Sequence, residues 1–125
     1  MLAPKLLHVV SGVFILGLLA TSSAGAIGSH TTYFTFSKSV QLPGVSLPAG
    51  KYVFETPLEN TSRLVRVMAR DRSRVYLTAI TRTVERPAAK NLAPIVTLAE
   101  TAGNTPPRID VWYPEGDRFG HQFIY

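Results

Sequence analysis

The segment before the C-terminal end carries side chains whose types could support metal or hydrolytic chemistry. Glu115, Asp117 and His121 lie close together in the sequence, and carboxylate and imidazole groups are ligands for zinc and similar ions. No second histidine follows at ligand spacing, and Gly116 and Gly120 are residues that backbone turns favour. We therefore expect polar turn chemistry here. The alternative is a small metal-dependent hydrolase that uses these three side chains.

Other catalytic arrangements find less support. The chain has no cysteine, which excludes a cysteine nucleophile, and no Gly-x-Ser-x-Gly elbow marks a hydrolytic serine. His30 is expected on a short leader, so it is a poor partner for a serine triad. We predict no catalytic residues, no metal ligands and no bound cofactor, and therefore a protein that is not an enzyme.

Basic residues form the second group of candidates. The chain has 13 Lys and Arg against 8 Asp and Glu, a net charge of +5, and much of the excess lies between residues 63 and 86. Such a cluster attracts phosphate, anionic lipid or acidic polysaccharide through long-range Coulomb steering, although it is also typical of solvated strand faces. Nucleic acid is not expected, because only Tyr76 interleaves with these arginines. The predicted interaction surface consists of Arg66, Arg70, Arg72, Arg74 and Arg82.

The N-terminal segment has the pattern of a secretory signal peptide, predicted over residues 1–26. Lys5 precedes an apolar run, and Ala24-Gly25-Ala26 supplies the small residues that signal peptidase accepts. Ser11 interrupts the run, which is shorter than the roughly 20 apolar residues that a transmembrane helix needs. The expectations are cleavage after Ala26, a periplasmic or extracellular location, and no transmembrane span in the mature chain.

The rest of the chain, 27–125, is predicted to be a single all-β domain. About seven short strands separated by turns indicate an antiparallel β-sandwich or small barrel, following a helical signal peptide. No amphipathic helix is apparent. The predicted strands are Thr31–Val40, Lys51–Glu55, Arg63–Arg70, Arg74–Arg86, Pro94–Glu100, Ile109–Tyr113 and His121–Tyr125.

Alternation of side chains assigns the faces of these strands. Tyr52 and Phe54 should be buried together. In the hairpin that turns at 71–73, Val65 and Val75 are predicted to face inward while the arginines face solvent. Without disulfides, an exported domain of this size must rely on its core. Core packing is therefore the favoured role of the aromatic residues, and a cavity for an apolar ligand is the alternative.

Two turn motifs and the chain ending carry a resemblance. Leu42-Pro43-Gly44 is followed by Leu47-Pro48-Ala49-Gly50 and an aromatic strand, and the chain ends with Tyr113-Pro114-Glu115-Gly116 and Phe123-Ile124-Tyr125. This arrangement resembles a group of small, secreted, functionally uncharacterised bacterial proteins, in which the final Pro and Gly are adjacent, without the intervening Glu115. The resemblance implies an exported bacterial β domain. It implies no catalytic or ligand-binding residues.

These features together predict an exported, non-enzymatic β-sandwich module with a binding or structural role in the bacterial envelope. Its partner would be an unknown protein or envelope component, and self-association is left open. The expected contact surfaces are the arginine-bearing hairpin and any unpaired strand edge, which can accept a further strand.

Overall fold

The computed structural model describes residues 19–22, 30–58, 63–88 and 92–125, which contain eleven strands and no helix. The predicted all-β class is therefore confirmed for these residues. None of them belongs to a helix long and apolar enough to cross a membrane. The strands are β1 (Leu19–Ser22), β2 (Thr31–Phe36), β3 (Val40–Leu42), β4 (Val45–Leu47), β5 (Gly50–Glu55), β6 (Leu64–Ala69), β7 (Val75–Ile80), β8 (Arg82–Glu85), β9 (Ile95–Ala99), β10 (Arg108–Tyr113) and β11 (Phe119–Gln122).

The strands form two sheets that pack face to face. The first has the order β1-β2-β5-β6-β7 and is antiparallel throughout. The second has the order β4-β3-β10-β11-β8, and β9 also pairs with β10. A short parallel pairing joins β3 to β10 where Gln41 faces Arg108, so the second sheet is mixed. The predicted sandwich is confirmed, with more and shorter strands than the sequence indicated.

Aromatic rings from both sheets fill the space between them. Phe54 of the first sheet is fully buried, and its ring centre lies 5.2 Å from that of Phe34 and 5.7 Å from that of Trp112 in the second sheet. The indole N–H of Trp112 donates a hydrogen bond of 3.3 Å to the Thr32 hydroxyl across the core. Tyr52 is also buried, so the predicted aromatic face of β5 is confirmed. Such ring pairs add about 0.5–1.5 kcal/mol each beyond the area they bury.

The β6–β7 hairpin departs from the predicted alternation at its second arm. A β-bulge at Tyr76 places two residues of β7 opposite one residue of β6. A bulge shifts the side-chain alternation of its strand. Tyr76 consequently packs on Tyr52, with ring centres 5.4 Å apart, whereas Val75 is 52% exposed. The prediction that Val75 faces inward is wrong for this reason.

Two predicted strands are each divided where the chain passes from one sheet to the other. The predicted strand Arg74–Arg86 breaks at Thr81, whose backbone N–H and hydroxyl both donate to the carbonyl oxygen of Arg63, at 2.7 and 2.8 Å. The predicted strand Thr31–Val40 breaks after Phe36, between β2 and β3. Local alternation does not reveal such crossings, because the residues on either side still favour extended structure.

The last predicted strand, His121–Tyr125, is displaced towards the N-terminus. The observed β11 begins at Phe119 and ends at Gln122. The chain end is held instead by Tyr125, whose hydroxyl lies 2.5 Å from the Ile109 carbonyl oxygen. Leu19–Ser22 of the predicted helical signal peptide form strand β1 and no helix, because they pair with β2. The predicted cleavage site after Ala26 and the rest of the signal peptide lie outside the described residues.

Candidate functional site

The structure does not gather the three candidate metal ligands around one point. Glu115 is exposed in its turn, and His121 is buried in the core. Asp117 organises its own loop: one carboxylate oxygen accepts the Phe119 N–H at 3.2 Å and the other lies 3.1 Å from Nε2 of His30. Among the described residues, no group of three histidine, cysteine, aspartate or glutamate side chains is arranged to hold a metal ion.

His30 is held in place, in contrast to the free leader expected from the sequence. Its backbone carbonyl accepts the N–H of Thr56 at 3.0 Å, and its own N–H donates to the Thr56 hydroxyl at 3.0 Å. This pairing fixes the imidazole next to Asp117. No local sequence signal indicates that His30 is held, because His30 and Thr56 come together only when β2 pairs with β5.

His121 is a neutral structural side chain. It is 3% exposed, and its ring centre lies 5.2 Å from that of Trp112. Its Nδ1 lies 3.3 Å from the hydroxyl oxygen of Thr81. Because that hydroxyl gives its proton to a backbone carbonyl, its oxygen accepts a hydrogen bond from a protonated Nδ1. Burial lowers the pKa of His121 to about 4; the negative charge of Asp117 opposes this shift and His30 adds to it.

A single carboxylate links two of the predicted surface arginines. One oxygen of Glu55 lies 2.8 Å from the guanidinium of Arg72, and the other lies 3.3 Å from that of Arg66. The Glu55 side chain is 13% exposed, against 37% for Arg66 and 46% for Arg72. Its hydrogen bond raises the pKa of Arg72. Glu55 and Arg66 are direct cross-strand neighbours on β5 and β6, a relation that the sequence alone could suggest but not establish.

Arg70 and Arg74 rest on aromatic rings. The guanidinium carbon of Arg70 lies 5.6 Å from the centre of the Tyr33 ring, and that of Arg74 lies 4.8 Å from the centre of the Tyr76 ring. Both arginines are exposed, and neither has a carboxylate within salt-bridge distance in the described part of the chain. A cation over a tyrosine face is attracted by the ring quadrupole and remains open to solvent on its other side.

The five predicted surface arginines therefore separate into four and one. Arg66, Arg70, Arg72 and Arg74 lie on the β6–β7 hairpin and its turn, here called the arginine hairpin. Arg82 begins β8 in the other sheet, where its guanidinium is 3.4 Å from the side-chain oxygen of Gln122.

Arg86, which the sequence did not single out, ties together three chain segments. Its Nη2 atom lies 2.9 Å from the carbonyl oxygen of Ala93, 3.2 Å from that of Tyr113 and 3.1 Å from that of Pro114. Its guanidinium carbon lies 5.3 Å from the centre of the Tyr113 ring. Burial lowers the pKa of Arg86, and Tyr113 and a nearby carboxylate oppose this shift.

The Tyr113 ring in turn covers a glycine. A Cβ atom added to Gly120 would overlap the Tyr113 ring and would lie 2.9 Å from a methyl carbon of Val111. Arg86, Tyr113 and Gly120 therefore form a stack on the outer face of the second sheet, which we call the Arg86 anchor. Its contacts are to backbone and to packed rings, so its role is structural.

Compared with known proteins, the chain matches no family model, and no curated protein or solved structure shows significant similarity to it. Of the site's two groups of charged residues, the loop around Asp117 is internally satisfied, whereas the arginine hairpin presents exposed positive charge.

Proposed function

We propose that this chain is an exported, non-enzymatic β-sandwich module of the bacterial envelope that binds an anionic partner through the arginine hairpin. The observation that carries the proposal is the placement of Arg70 and Arg74. Both guanidinium groups are exposed and rest on tyrosine rings, without a carboxylate partner in the described residues. Their charge is available to a partner.

The surroundings of these two arginines support binding through preorganisation. Tyr33 and Tyr76 restrict the long side chains before any partner arrives, so less conformational freedom is lost on binding. Glu55 neutralises part of the charge of Arg66 and Arg72 and holds their guanidinium groups near each other. Guanidinium groups in fixed positions suit phosphate and carboxylate oxygens, which they bind through paired N–H donors.

The N-terminal pattern supports the export part of the proposal. A charged residue, an apolar run and Ala24-Gly25-Ala26 follow one another as in cleaved secretory signals. The resemblance to small secreted bacterial proteins supports the same compartment. At the envelope, an exported protein meets anionic lipid headgroups and acidic polymers. These carry the negative charge that the arginine hairpin would recognise.

The binding site can be tested with anionic vesicles as the probe. The exported protein would be sedimented with vesicles containing phosphatidylglycerol and with neutral phosphatidylcholine vesicles, over a series of salt concentrations. We expect binding to the anionic vesicles that weakens with salt. The double variant Arg70→Gln/Arg74→Gln should bind roughly tenfold or more weakly, because each basic residue near an anionic surface contributes about 1 kcal/mol.

The matched control removes the same charge elsewhere. Lys38 and Arg118 are exposed and lie outside the arginine hairpin, so Lys38→Gln/Arg118→Gln should change binding much less. Equal losses in the two double variants would show that only net charge matters and would contradict a site at the hairpin. Binding that does not respond to salt would contradict an electrostatic interaction.

A further inference from the structure

β1 covers the outer edge of β2, and it belongs to the segment that the proposed export would remove. Its antiparallel register runs from Leu19 opposite Thr35 to Ser22 opposite Thr32. Cleavage after Ala26 would detach β1 and leave the backbone groups along this edge without a strand partner. We propose that in the exported form β2 of a second copy of this chain takes the place of β1, in antiparallel pairing. The inference rests on the export part of the proposed function.

The composition of β2 suits this pairing. The strand reads Thr-Thr-Tyr-Phe-Thr-Phe, so all of its residues are β-branched or aromatic and none is charged, proline or glycine. Its register with β5 is regular from Thr31 opposite Glu55 to Phe36 opposite Gly50. Natural edge strands are usually protected by charges, prolines or bulges that prevent pairing with another chain. β2 itself contains none of these protections once β1 is removed, and the cation beside it, Arg70, lies over the ring of Tyr33.

The opposite edge of the same sheet is protected. β7 contains the bulge at Tyr76, which interrupts its regular register; Arg74 directly precedes the strand, and Arg82 lies two residues after its end. A two-fold contact brings a surface against its own copy, so charged residues at or beside a strand come close to like charges. β9 in the second sheet is also uncharged, but its edge does not change on cleavage. Of these three edges, only that of β2 loses its strand partner when the predicted signal peptide is cleaved.

The two-fold geometry is compatible with the observed faces of β2. Opposed residues of antiparallel strands must point to the same face, so one residue must lie opposite its own copy, with the two-fold axis midway between the two copies of that residue. With the axis at Tyr33, Thr31 of one copy faces Thr35 of the other, and the hydroxyl-bearing side chains form cross-strand pairs. The first sheets of the two copies then become one continuous sheet.

The test compares the self-association of the exported protein with that of two lysine variants. The full-length gene is expressed in a bacterial host, the exported product is purified, and its N-terminus is read from its intact mass. Sedimentation velocity over a wide concentration range then gives the dissociation constant. We expect a dimer that Thr35→Lys weakens roughly tenfold or more, because it places charge on the pairing edge. Thr31→Lys serves as a second edge variant if Thr35→Lys does not fold.

Thr78→Lys is the matched control, because Thr78 is an exposed residue on the outer face of β7, at the far edge of the same sheet. It adds the same charge and should leave the dissociation constant unchanged. A folded exported product that is monomeric at all concentrations would overturn the proposal. A dimer that is insensitive to both edge variants, or one that Thr78→Lys weakens equally, would also overturn it.

The result also separates this inference from the proposed function. A dimer that fails to bind anionic vesicles would contradict the role of the arginine hairpin and leave the β2 contact standing. A monomer that binds vesicles would do the reverse. A product that retains Leu19–Ser22 would contradict the processing on which the β2 contact depends, and the proposal would fall with it.

Discussion

Arg70 and Arg86 come from the same arginine-rich stretch of sequence, and both guanidinium groups lie over a tyrosine ring. The distances to the ring centres are 5.6 Å for Arg70 over Tyr33 and 5.3 Å for Arg86 over Tyr113. The two arginines differ in what their guanidinium groups contact apart from the ring. Arg86 reaches three backbone carbonyls, whereas Arg70 is exposed. Contact with an aromatic ring therefore does not by itself distinguish a structural arginine from one that can bind a partner.

The contrast between Arg70 and Arg86 can be tested by mutation. Changes at the Arg86 anchor and at its neighbour His121 should lower stability and leave anion binding almost unchanged in the folded protein. Changes at the arginine hairpin should alter anion binding and leave the stability almost unchanged.

Gly120→Ala should produce the largest loss of stability. The new methyl group would overlap the Tyr113 ring, and that ring supports Arg86, so the whole stack would have to move. Overpacking of this kind costs about 3 kcal/mol. Urea unfolding of the variant would measure it. Gly103→Ala serves as a comparison, because a Cβ there meets nothing within 4 Å and only its φ of +63° disfavours alanine. A smaller loss for Gly120→Ala than for Gly103→Ala would contradict the close packing beneath Tyr113.

Acid should destabilise the protein through His121. The pKa of His121 is about 4 in the folded state, against an ordinary value of 6.5 for histidine in an unfolded chain. Between about pH 6.5 and pH 4, the unfolded chain therefore binds a proton at His121 that the folded chain does not bind. The stabilisation is complete above the unfolded pKa and is lost as the pH falls towards 4, by about 3 kcal/mol in total. Urea unfolding at several pH values measures this slope.

His121→Phe provides the control for that titration. It keeps an aromatic ring beside Trp112 but has no proton to bind, so its stability should depend less on pH over the same range. The variant is expected to be less stable than the wild type at neutral pH, because the Thr81 hydroxyl oxygen loses the hydrogen bond from His121. A pH dependence identical to that of the wild type would show that another group is responsible.

Arg86→Met should cost about 2 kcal/mol. The substitution keeps apolar contact with Tyr113 but removes the donor for the partly buried carbonyl oxygens of Tyr113 and Pro114. The matched variant Arg82→Met removes an arginine that is exposed on the same side of the sandwich and should change stability by less than about 0.5 kcal/mol. Thermal or urea unfolding distinguishes the two. Equal losses of stability in the two variants would indicate that Arg86 contributes no more to stability than an exposed surface arginine.

Glu55→Gln should have the smallest effect on stability, a loss of less than about 1 kcal/mol, because its two arginine partners are partly solvated. The loss should shrink further in high salt, which screens exposed charges. Vesicle binding should increase, since Arg66 and Arg72 are no longer neutralised. Weaker vesicle binding would indicate that Glu55 is needed to position these arginines rather than to offset their charge.

Some local features were predictable because they depend on neighbouring residues. Tyr52 and Phe54 are buried as alternation required. Proline followed by glycine, as in Pro43-Gly44, favours a type II turn, and Gly44 has the φ of 75° that such a turn needs at its third position. The inward placement of Val75 failed because a bulge, which pairs two residues with one, has no clear signature in a sequence of β-branched and aromatic residues.

The candidate site was less predictable than the fold. The hairpin arginines were found from their number and spacing, but the relation of Arg66 and Arg72 to Glu55 depends on strand register. The role of Arg86 depends on carbonyl oxygens of Ala93, Tyr113 and Pro114, and backbone groups carry no residue-type signal. His30 was misjudged because its neighbour Asp117 lies at the other end of the chain.

The residue pattern is sufficient to predict the all-β class, the buried face of β5, the turn at Gly44 and the abundance of arginine between residues 63 and 86. These follow from side-chain periodicity and backbone restrictions that act over a few residues. Only the tertiary structure decided which arginines are tied down and which are exposed, and where Thr81 takes the chain from one sheet to the other. Those outcomes depend on strand register and on contacts between distant segments, and neither is encoded in any short stretch of residues.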